Sequence, residues 1–289
     1  MFVISGATGR VGSAVAEALL RAGHPVRVIV RRTTAAQDWQ ARGAQTAVVD
    51  LRDRDGLTRA LEGAEAFFAM MPFDLDANDL DAYSQDVVQS VAAAVEDSGV
   101  AHTVMLSSGG ADLPKGTGPI SGLYLMEQAL GQTSTILTAL RPGHFQEKVG
   151  DVLESARQEG VYPVFSSTAD APVPLNATRD IAAVAVQELL ARPRHSEVVD
   201  IVGPSYTERE VAEILGRALD RELQVVTIPE SDWQGALTGA GFAATIATSL
   251  SELYRADAQG LLVPRGDRSV QVSTDLITTI NGMLEAVNT

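Results

Sequence analysis

Apolar and polar positions alternate in a regular order through the first half of the chain. Short runs rich in β-branched and aromatic residues are typical of buried strands. Six such runs occur, at Phe2–Ser5, Val26–Val30, Ala47–Asp50, Ala66–Met70, Thr103–Leu106 and Thr135–Leu140. Between them apolar residues recur at helical spacing, as at Val11, Val15 and Leu19. Because strands and helices alternate, the pattern predicts an α/β fold with a doubly wound parallel sheet that helices cover on both faces.

The pattern loosens after Pro142-Gly143. Residues 160–174 are rich in proline, serine and small side chains, which predicts loops or short irregular strands. Beyond them the sequence predicts a helix at Asp180–Leu190, strands at Val198–Val202 and Gln224–Ile228, a capping box at Thr207–Glu210 and a mostly helical tail from Ser231. We therefore expect a smaller, mostly helical C-terminal part beside the sheet.

Composition narrows the possible classes of function. The 289 residues include 45% hydrophobic side chains, enough for one or two folded domains. The net charge of −15 argues against nucleic acid and against an anionic membrane surface as partners. Cysteine is absent, which excludes disulfides and thiolate chemistry, and the four scattered histidines predict no metal site.

The ends of the chain and its apolar runs give an expectation about location. No apolar run approaches the roughly 18 residues that a membrane-spanning helix needs. The residues after Met1 are typical of a strand and lack the basic start of a signal peptide. We expect a cytoplasmic protein that acts on a small molecule, as a monomer or a homodimer.

A glycine-rich segment, Gly6-Ala7-Thr8-Gly9-Arg10-Val11-Gly12, follows the first predicted strand and opens the first helix. This context is typical of a dinucleotide-binding turn, here with GxxGxxG spacing. One glycine permits the tight turn, another the approach of a pyrophosphate, and the third the close packing of helix and strand. The helix N-terminus then offers its N–H groups to phosphate. A plain tight turn is the alternative, but the position inside a strand–helix–strand unit favours cofactor binding.

The end of the second strand distinguishes NAD from NADP. An acidic residue there holds the ribose 2′-hydroxyl, whereas arginine accommodates a 2′-phosphate. Arg31 and Arg32 occupy this position, and the first fifty residues carry six arginines against three acidic residues. Paired guanidiniums suit a dianionic phosphate by charge and by bidentate hydrogen bonding. We predict NADP(H), with Arg31 preferred to Arg32; two solvated surface arginines are the alternative.

Two further strand ends lie on the expected path of the cofactor. Asp50 and Leu51 end the third predicted strand, where an adenine would rest, although a simple turn acid is an equal alternative. Met70 and Met71 end the fourth, near the expected position of the riboses, and could equally pack in the core.

Five motifs follow one another along the chain: GATGRVG at residues 6–12, VRVIVRR at 26–32, VVDLRD at 48–53, LSSGG at 106–110 and LRPGHFQE at 140–147. In this order they resemble the NmrA-like family of atypical short-chain dehydrogenase/reductases, and within it the bacterial NADPH-dependent quinone reductases. The resemblance covers about residues 1–225. GATGxxG alone is shared by many reductases and epimerases, whereas its combination with LRPGxF is more specific.

The resemblance implies a Rossmann-like domain at residues 1–145, to which 175–203 return, and a smaller substrate-binding part at 146–174 and 204–289. It also implies NADPH bound across the strand ends. By position it assigns Gly6, Thr8, Gly9, Arg10, Val11 and Gly12 to the pyrophosphate, Arg31 to the 2′-phosphate, Asp50 and Leu51 to the adenine, Ser107 and Ser108 to the nicotinamide end of the fifth strand, and Pro142, Gly143, His144 and Phe145 to the nicotinamide and the substrate cleft.

The catalytic pair of the wider superfamily is missing. Those reductases use Tyr-x-x-x-Lys on one helix face, where the tyrosine is the acid and the lysine lowers its pKa. Tyr124 is the only tyrosine in the corresponding helix, and residue 128 is glutamine. Glu127 matches the family's glutamate, but its usual basic neighbour is absent. Tyr124 and His144 are the candidate proton donors; the alternatives are an aromatic packing residue and a histidine bonded to the backbone.

These observations predict an NADPH-dependent oxidoreductase that transfers hydride to a small apolar acceptor, such as a quinone or a conjugated carbonyl. A reduced quinone oxygen can take its proton from water, so this reaction tolerates the missing pair. The enzyme would then work mainly by positioning its reactants. Two alternatives stay open: an NADP-binding redox sensor without turnover, of the NmrA type, and an isomerase or tailoring enzyme of a biosynthetic pathway.

Overall fold

The computed structural model describes residues 1–74 and 79–287, and the strands and helices of its first half follow one another in the order that the sequence predicts. The strands are β1 (Phe2–Ile4), β2 (Val26–Val30), β3 (Gln45–Val48), β4 (Ala66–Met70), β5 (His102–Leu106), β6 (Ile136–Pro142), β7 (His144–Phe145), β8 (Val161–Val164), β9 (Val173–Asn176), β10 (Glu197–Val202), β11 (Ser205–Tyr206), β12 (Gln224–Thr227) and β13 (Arg268–Gln271). The helices are α1 (Arg10–Arg21), α2 (Thr33–Ala41), α3 (Arg54–Leu61), α4 (Leu80–Ser98), α5 (Ile120–Leu130), α6 (Leu153–Gln158), α7 (Thr178–Leu190), α8 (Glu208–Ala218), α9 (Trp233–Gly239), α10 (Ala244–Ala258) and α11 (Leu276–Val287).

Eight of these strands form one sheet, in the order β13-β10-β6-β5-β4-β1-β2-β3, and every neighbouring pair is parallel. The order reverses on either side of β1 and β4, as a doubly wound sheet requires. The Rossmann-like α/β fold is therefore confirmed. Two small sheets, β11-β9-β7 and β12-β8, lie outside the large one.

Three apolar cores hold the layers together. One lies between the sheet and helices α1, α2 and α7, and a second between the sheet and helices α3, α4 and α5. The third joins α6, α8, α11 and the 3₁₀ helix Gln146–Val152, away from the large sheet. Helix α1 shows the local cause: Val15 and Leu19, four residues apart, are fully buried on one face. No helix of the described residues is long and apolar enough to cross a membrane.

Two strands differ from the expectation. The third strand ends at Val48 and not at Asp50, because the Asp50 carboxylate accepts the backbone N–H of Arg52 at 2.9 Å and turns the chain there. Residues 268–271, expected in the smaller part, form β13 and pair with β10 in the large sheet. The Arg268 guanidinium fixes this short polar strand by pairing with Glu188 and Glu197, at 2.8 and 2.9 Å. The division into domains stays a prediction.

Candidate active site

The carboxyl ends of six parallel strands meet at one edge of the sheet. Crevices at this edge, where the strand order reverses, are the usual ligand sites of such folds. From β3 to β6 the edge carries, in spatial order, Asp50, Arg31, Gly6, Met70, Ser107 and Pro142. These six residues, which the sequence predicted for one cofactor, lie between positions 6 and 142 and share a single edge.

The glycine-rich turn has the geometry that each glycine was expected to provide. Gly6 adopts the left-handed conformation, with φ of 67°, which places it at the turn. A Cβ carbon on Gly12 would stand 2.3 Å from the carbonyl oxygen of Gly6, so only glycine lets α1 begin this close to β1. At Gly9 the nearest atom to such a carbon would lie 3.4 Å away, which leaves ordinary space above the turn.

The N-terminus of α1 opens beside this turn. Gly9 occupies the capping position, no side chain of the described residues caps the helix, and its first turn contains no acidic residue. Thr8 and Arg10 are exposed, whereas the Val11 side chain is 4% exposed and packs in the core, so only the Val11 backbone can face a ligand. The donor groups and the open space fit a pyrophosphate, which binds through backbone N–H groups at such helix ends.

Arg31 and Arg32 follow β2 directly, and both side chains are exposed. Neither forms an ion pair with any other described residue. The nearby Asp50 carboxylate is already engaged, because the Arg52 guanidinium donates to it at 3.0 and 3.1 Å. These hydrogen bonds hold the pKa of the Asp50 carboxyl below its usual range, and the charge of Arg31 adds to the effect. The two adjacent arginines thus keep their charges available to a phosphate.

Leu51 and Met70 also lie on this edge, but each has a packing role. Leu51 is half-buried against the core between the sheet, α3 and α4. Met70 packs on the opposite core, and its terminal methyl lies where a side chain on Gly6 would have to be. The core-packing alternative therefore holds for Met70, and the position of both residues near a cofactor stays a prediction.

A cavity of about 410 Å³ lies where β4, β5 and β6 end. Its lining is mostly apolar, as is usual for small-molecule sites. The residues that line it are Met70, Met71, Pro72, Phe73, Ser84, Leu106, Ser107, Ser108, Gly109, Pro119, Ile120, Leu123, Gly143, His144, Phe145, Lys148, Leu253 and Leu262. The cavity thus unites seven predicted site residues: Met70, Met71, Ser107, Ser108, Gly143, His144 and Phe145.

The two candidate proton donors differ in position. His144 lines the cavity, and its Nε2 lies 3.1 Å from Oδ1 of Asp257 on α10. Tyr124 is half-buried on α5 and is not among the lining residues. Pro142 is buried at the end of β6, where its carbonyl oxygen accepts the N–H of Gly109 at 3.0 Å. The structure therefore brings His144 and not Tyr124 to the cavity.

A buried charge network lies beneath the cavity floor. Glu127 accepts two hydrogen bonds from the Arg141 guanidinium, at 2.9 and 2.5 Å, and one from the Ser107 hydroxyl at 2.5 Å. All three side chains are less than a tenth exposed. Because the hydroxyl of Ser107 is held by Glu127, Ser107 presents its oxygen and not its proton to the cavity. The network therefore fixes the side chain of Ser107, which forms part of the cavity floor, in one rotamer.

The network continues toward the C-terminal part. Asp112 lies 3.9 Å from Arg141 and accepts two hydrogen bonds from Arg265, at 2.7 and 3.1 Å. The Asp200 carboxylate accepts the N–H of Gly266 at 2.6 Å, and burial raises the pKa of this carboxyl. These contacts hold residues 261–266 against the loop after β5, and Leu262 therefore forms one wall of the cavity.

Sequence reasoning missed this far wall. It consists of Lys148 from the 3₁₀ helix and of Leu253 and Leu262 from the region around α10, with Asp257 in contact with His144. No local sequence motif marks any of these residues. One signal was visible: the charged Arg141 directly follows the predicted strand Thr135–Leu140, and an arginine buried at such a strand end requires a charged partner. Among the described residues no group of three or more histidine and acidic side chains could hold a metal ion.

Comparison with known proteins places the chain in a family. The model of the NmrA-like family matches residues 1–261, so the chain belongs to the NmrA-like family. It is 30% identical over 257 residues to an NAD(P)H azoreductase of Xenophilus azovorans, covering 88% of this chain and 86% of the relative. It is 33% identical over 228 residues to a (4-alkanoyl-5-oxo-2,5-dihydrofuran-3-yl)methyl phosphate reductase of Streptomyces griseus, covering 78% and 76%.

The fold has a solved counterpart. The NADPH-dependent quinone oxidoreductase QOR2 of Escherichia coli, solved with NADPH, superposes with a TM-score of 0.77, at 21% identity and with 98% of this chain and 100% of that chain covered. At that identity the likeness concerns the fold. With the family match and the reductase relatives, the chain is placed among the oxidoreductases.

Proposed function

We propose that the protein is an NADPH-dependent reductase of small apolar acceptors, with quinones and conjugated carbonyls as the favoured class. The observation that carries this proposal is one edge of the sheet: it has a glycine turn, an uncapped helix N-terminus and two exposed arginines at one end, and an apolar cavity of about 410 Å³ at the other. The relatives named for azo compounds, a butenolide phosphate and quinones support an acceptor with a conjugated, electron-poor centre.

The cofactor-binding roles follow the edge. The α1 N-terminus, with Thr8, Gly9, Arg10, Val11 and Gly12, holds the pyrophosphate, and Arg31, supported by Arg32, holds the 2′-phosphate. Asp50 and Leu51 flank the adenine, and Met70 and Met71 the riboses. The nicotinamide end is formed by Ser107, Ser108, Pro142, Gly143 and Phe145. NADPH supplies a hydride when it is bound there.

The protein's own contribution is positioning, exclusion of water and one proton. Apolar walls from Phe73, Leu253 and Leu262 hold a flat acceptor against the floor formed by Ser107. His144 lines the same space, and its Nε2 lies 3.1 Å from Oδ1 of Asp257, a contact that orients the ring as the donor of a proton to the acceptor. The reduced acceptor can take this proton when water is excluded.

One experiment tests the proposal. Purified protein is mixed with NADPH and a panel of quinones, enones and azo compounds, and the absorbance of the reduced cofactor is followed. We expect oxidation with at least one class and little with saturated ketones, which lack a conjugated centre. Tight NADPH binding without turnover of any acceptor would instead support the redox sensor, and conversion of a substrate without net cofactor oxidation would support an isomerase.

A further inference from the structure

We infer that Lys148 forms an anion subsite in the substrate cavity, so that the preferred acceptors combine a flat conjugated ring with a negatively charged carboxylate, sulfonate or phosphate substituent. The effect of this subsite on which acceptors are reduced rests on the proposed function. Its physical basis, a cation in an apolar cavity, can be tested by binding alone.

The first observation concerns charge. Among the lining residues that the structure describes, Lys148 and His144 are the only ionisable side chains, and none is acidic. His144 is held by Asp257 at 3.1 Å, whereas Lys148 forms no hydrogen bond or ion pair with any described residue. In a chain with a net charge of −15, this cavity therefore presents a positive charge to its ligand.

The second observation concerns how the lysine is held. Its neighbours in the 3₁₀ helix Gln146–Val152 are buried and bonded. Glu147 accepts the N–H of Thr178 at 2.9 Å and its hydroxyl at 2.5 Å, and Gln146 donates to the carbonyl oxygen of Thr274 at 2.7 Å. Because these contacts fix the backbone before Lys148 and the buried Val149 fixes it after, the exposed Lys148 side chain is directed to the cavity and not into the core.

The third observation concerns the use of lysine in this chain. Only Lys115 and Lys148 occur in 289 residues, although there are twenty arginines. An ammonium group is a compact point charge on a flexible stem, which suits an anionic substituent whose exact position varies between acceptors. Low-dielectric walls strengthen such a contact relative to one on the open surface.

Binding to the cofactor-loaded protein tests the subsite without turnover. Isothermal titration of protein saturated with NADP⁺ compares 2-naphthoate with the uncharged naphthalene-2-carboxamide, which has nearly the same shape. We expect the carboxylate to bind about tenfold more tightly, as is typical of one partly desolvated charged hydrogen bond. Naphthalene-2-sulfonate and 2-naphthyl phosphate, in parallel titrations, distinguish which anion fits best.

Substitution assigns the effect to one residue. In Lys148→Met the ratio of carboxylate to carboxamide affinity should fall to about one, and Lys148→Arg should restore most of it. Lys115→Met is the matched control, because Lys115 lines a different cavity of about 640 Å³, and it should leave the ratio at the wild-type value. Raising the ionic strength should reduce the ratio in the wild type and not in Lys148→Met.

Three results would overturn the inference: an unchanged ratio in Lys148→Met, no aromatic binding to the NADP⁺-loaded protein, or a loss that falls on NADP⁺ affinity instead, which would assign the lysine to the cofactor. Failure of the proposed reductase activity is a separate result, because the quinone and enone panel measures turnover and the naphthalene probes do not. If the protein prefers the anionic probes but reduces no acceptor, the anion subsite is supported and the proposed reductase activity is contradicted.

Discussion

Gly12, in the first turn of α1, lies so close to Gly6 that a Cβ carbon on Gly12 would stand 2.3 Å from the Gly6 carbonyl oxygen. That oxygen belongs to a backbone turn fixed by the left-handed Gly6 and by the hydrogen bond from Gly9 N–H at 2.9 Å. The turn cannot yield as a flexible side chain would. The close contact therefore sets both the angle of α1 and the direction of its N–H groups.

Gly12→Ala should lower the free energy of unfolding by about 1–3 kcal/mol, the range typical of overpacking in a tight contact. It should also weaken NADPH binding, because the helix N-terminus must move away from the turn. Thermal unfolding and equilibrium titration with NADPH check the two effects. Gly282→Ala in α11 is the control, since nothing lies within 4 Å of the added methyl and alanine favours the helix; a similar loss in both variants would contradict the argument.

The succession of strands along the first half of the chain could be predicted from the sequence, because each buried strand there is a local apolar run. The glycine turn was equally visible, since its position between the first strand and the first helix is a matter of a few residues. The short strands were not. β13 has the sequence Arg268-Ser-Val-Gln271, whose polarity gives no strand signal, and it is held by pairing with β10 and by distant glutamates.

The candidate site divides in the same way. The half proposed for the cofactor consists of residues at the ends of parallel strands. Because the carboxyl ends of parallel strands share one edge of a sheet, the sequence already predicts that these residues lie together. The substrate half depends on Leu253, Asp257 and Leu262, which lie more than 130 residues beyond the loop after β5 and meet this part of the site only in the folded chain. Long-range packing of this kind leaves no periodic signal in one sequence.

Arg141 and Glu127 give a prediction about stability. Arg141→Met removes one partner of a buried pair and leaves the Glu127 carboxylate without its cation, which typically costs about 3–5 kcal/mol. Urea unfolding measures the loss. Arg209→Met is the matched control, because Arg209 pairs with Asp170 on the surface, where both side chains are exposed; its unfolding midpoint should stay at the wild-type value. Equal midpoints for the two variants would show that the buried pair is not a determinant of stability.

Arg31 gives a prediction about cofactor choice. Arg31→Ala should weaken NADPH binding by about tenfold to a hundredfold and leave NADH binding unchanged, because only NADPH carries the 2′-phosphate. Equilibrium titration with both cofactors measures the two affinities. Arg42→Ala serves as control, since its guanidinium is engaged with Glu17 at 2.8 Å. Equal weakening of NADH and NADPH in Arg31→Ala would contradict the assignment.

His102 gives a prediction about pH. Burial lowers the pKa of this imidazole, whose Nε2 lies 3.1 Å from the hydroxyl oxygen of Thr138. The unfolded chain therefore binds the proton first, near pH 6.5, and the folded protein loses stability as the pH falls below that value, by at most about 1.4 kcal/mol per pH unit. The loss ends when the pH reaches the lowered pKa of the folded state.

Unfolding of His102→Leu between pH 5 and 8 checks this effect. The substitution should flatten the slope of stability against pH below 6.5, whatever it does to the absolute stability. His195→Gln, on an exposed loop, should keep the wild-type slope. If the slope of His102→Leu matches that of the wild type, the buried imidazole is not the group that titrates.

His144 and Tyr124 give opposite expectations for catalysis. A conjugated carbonyl needs a proton on its reduced product, whereas a reduced quinone can take one from water, so His144→Gln should lower kcat/KM for enones by about a hundredfold and for quinones far less. Tyr124→Phe should change neither, because Tyr124 does not line the cavity. NADPH affinity, measured in parallel, should be the same in all three proteins. A selective loss on enones in Tyr124→Phe with none in His144→Gln would exchange the two roles and move the proton donor to α5.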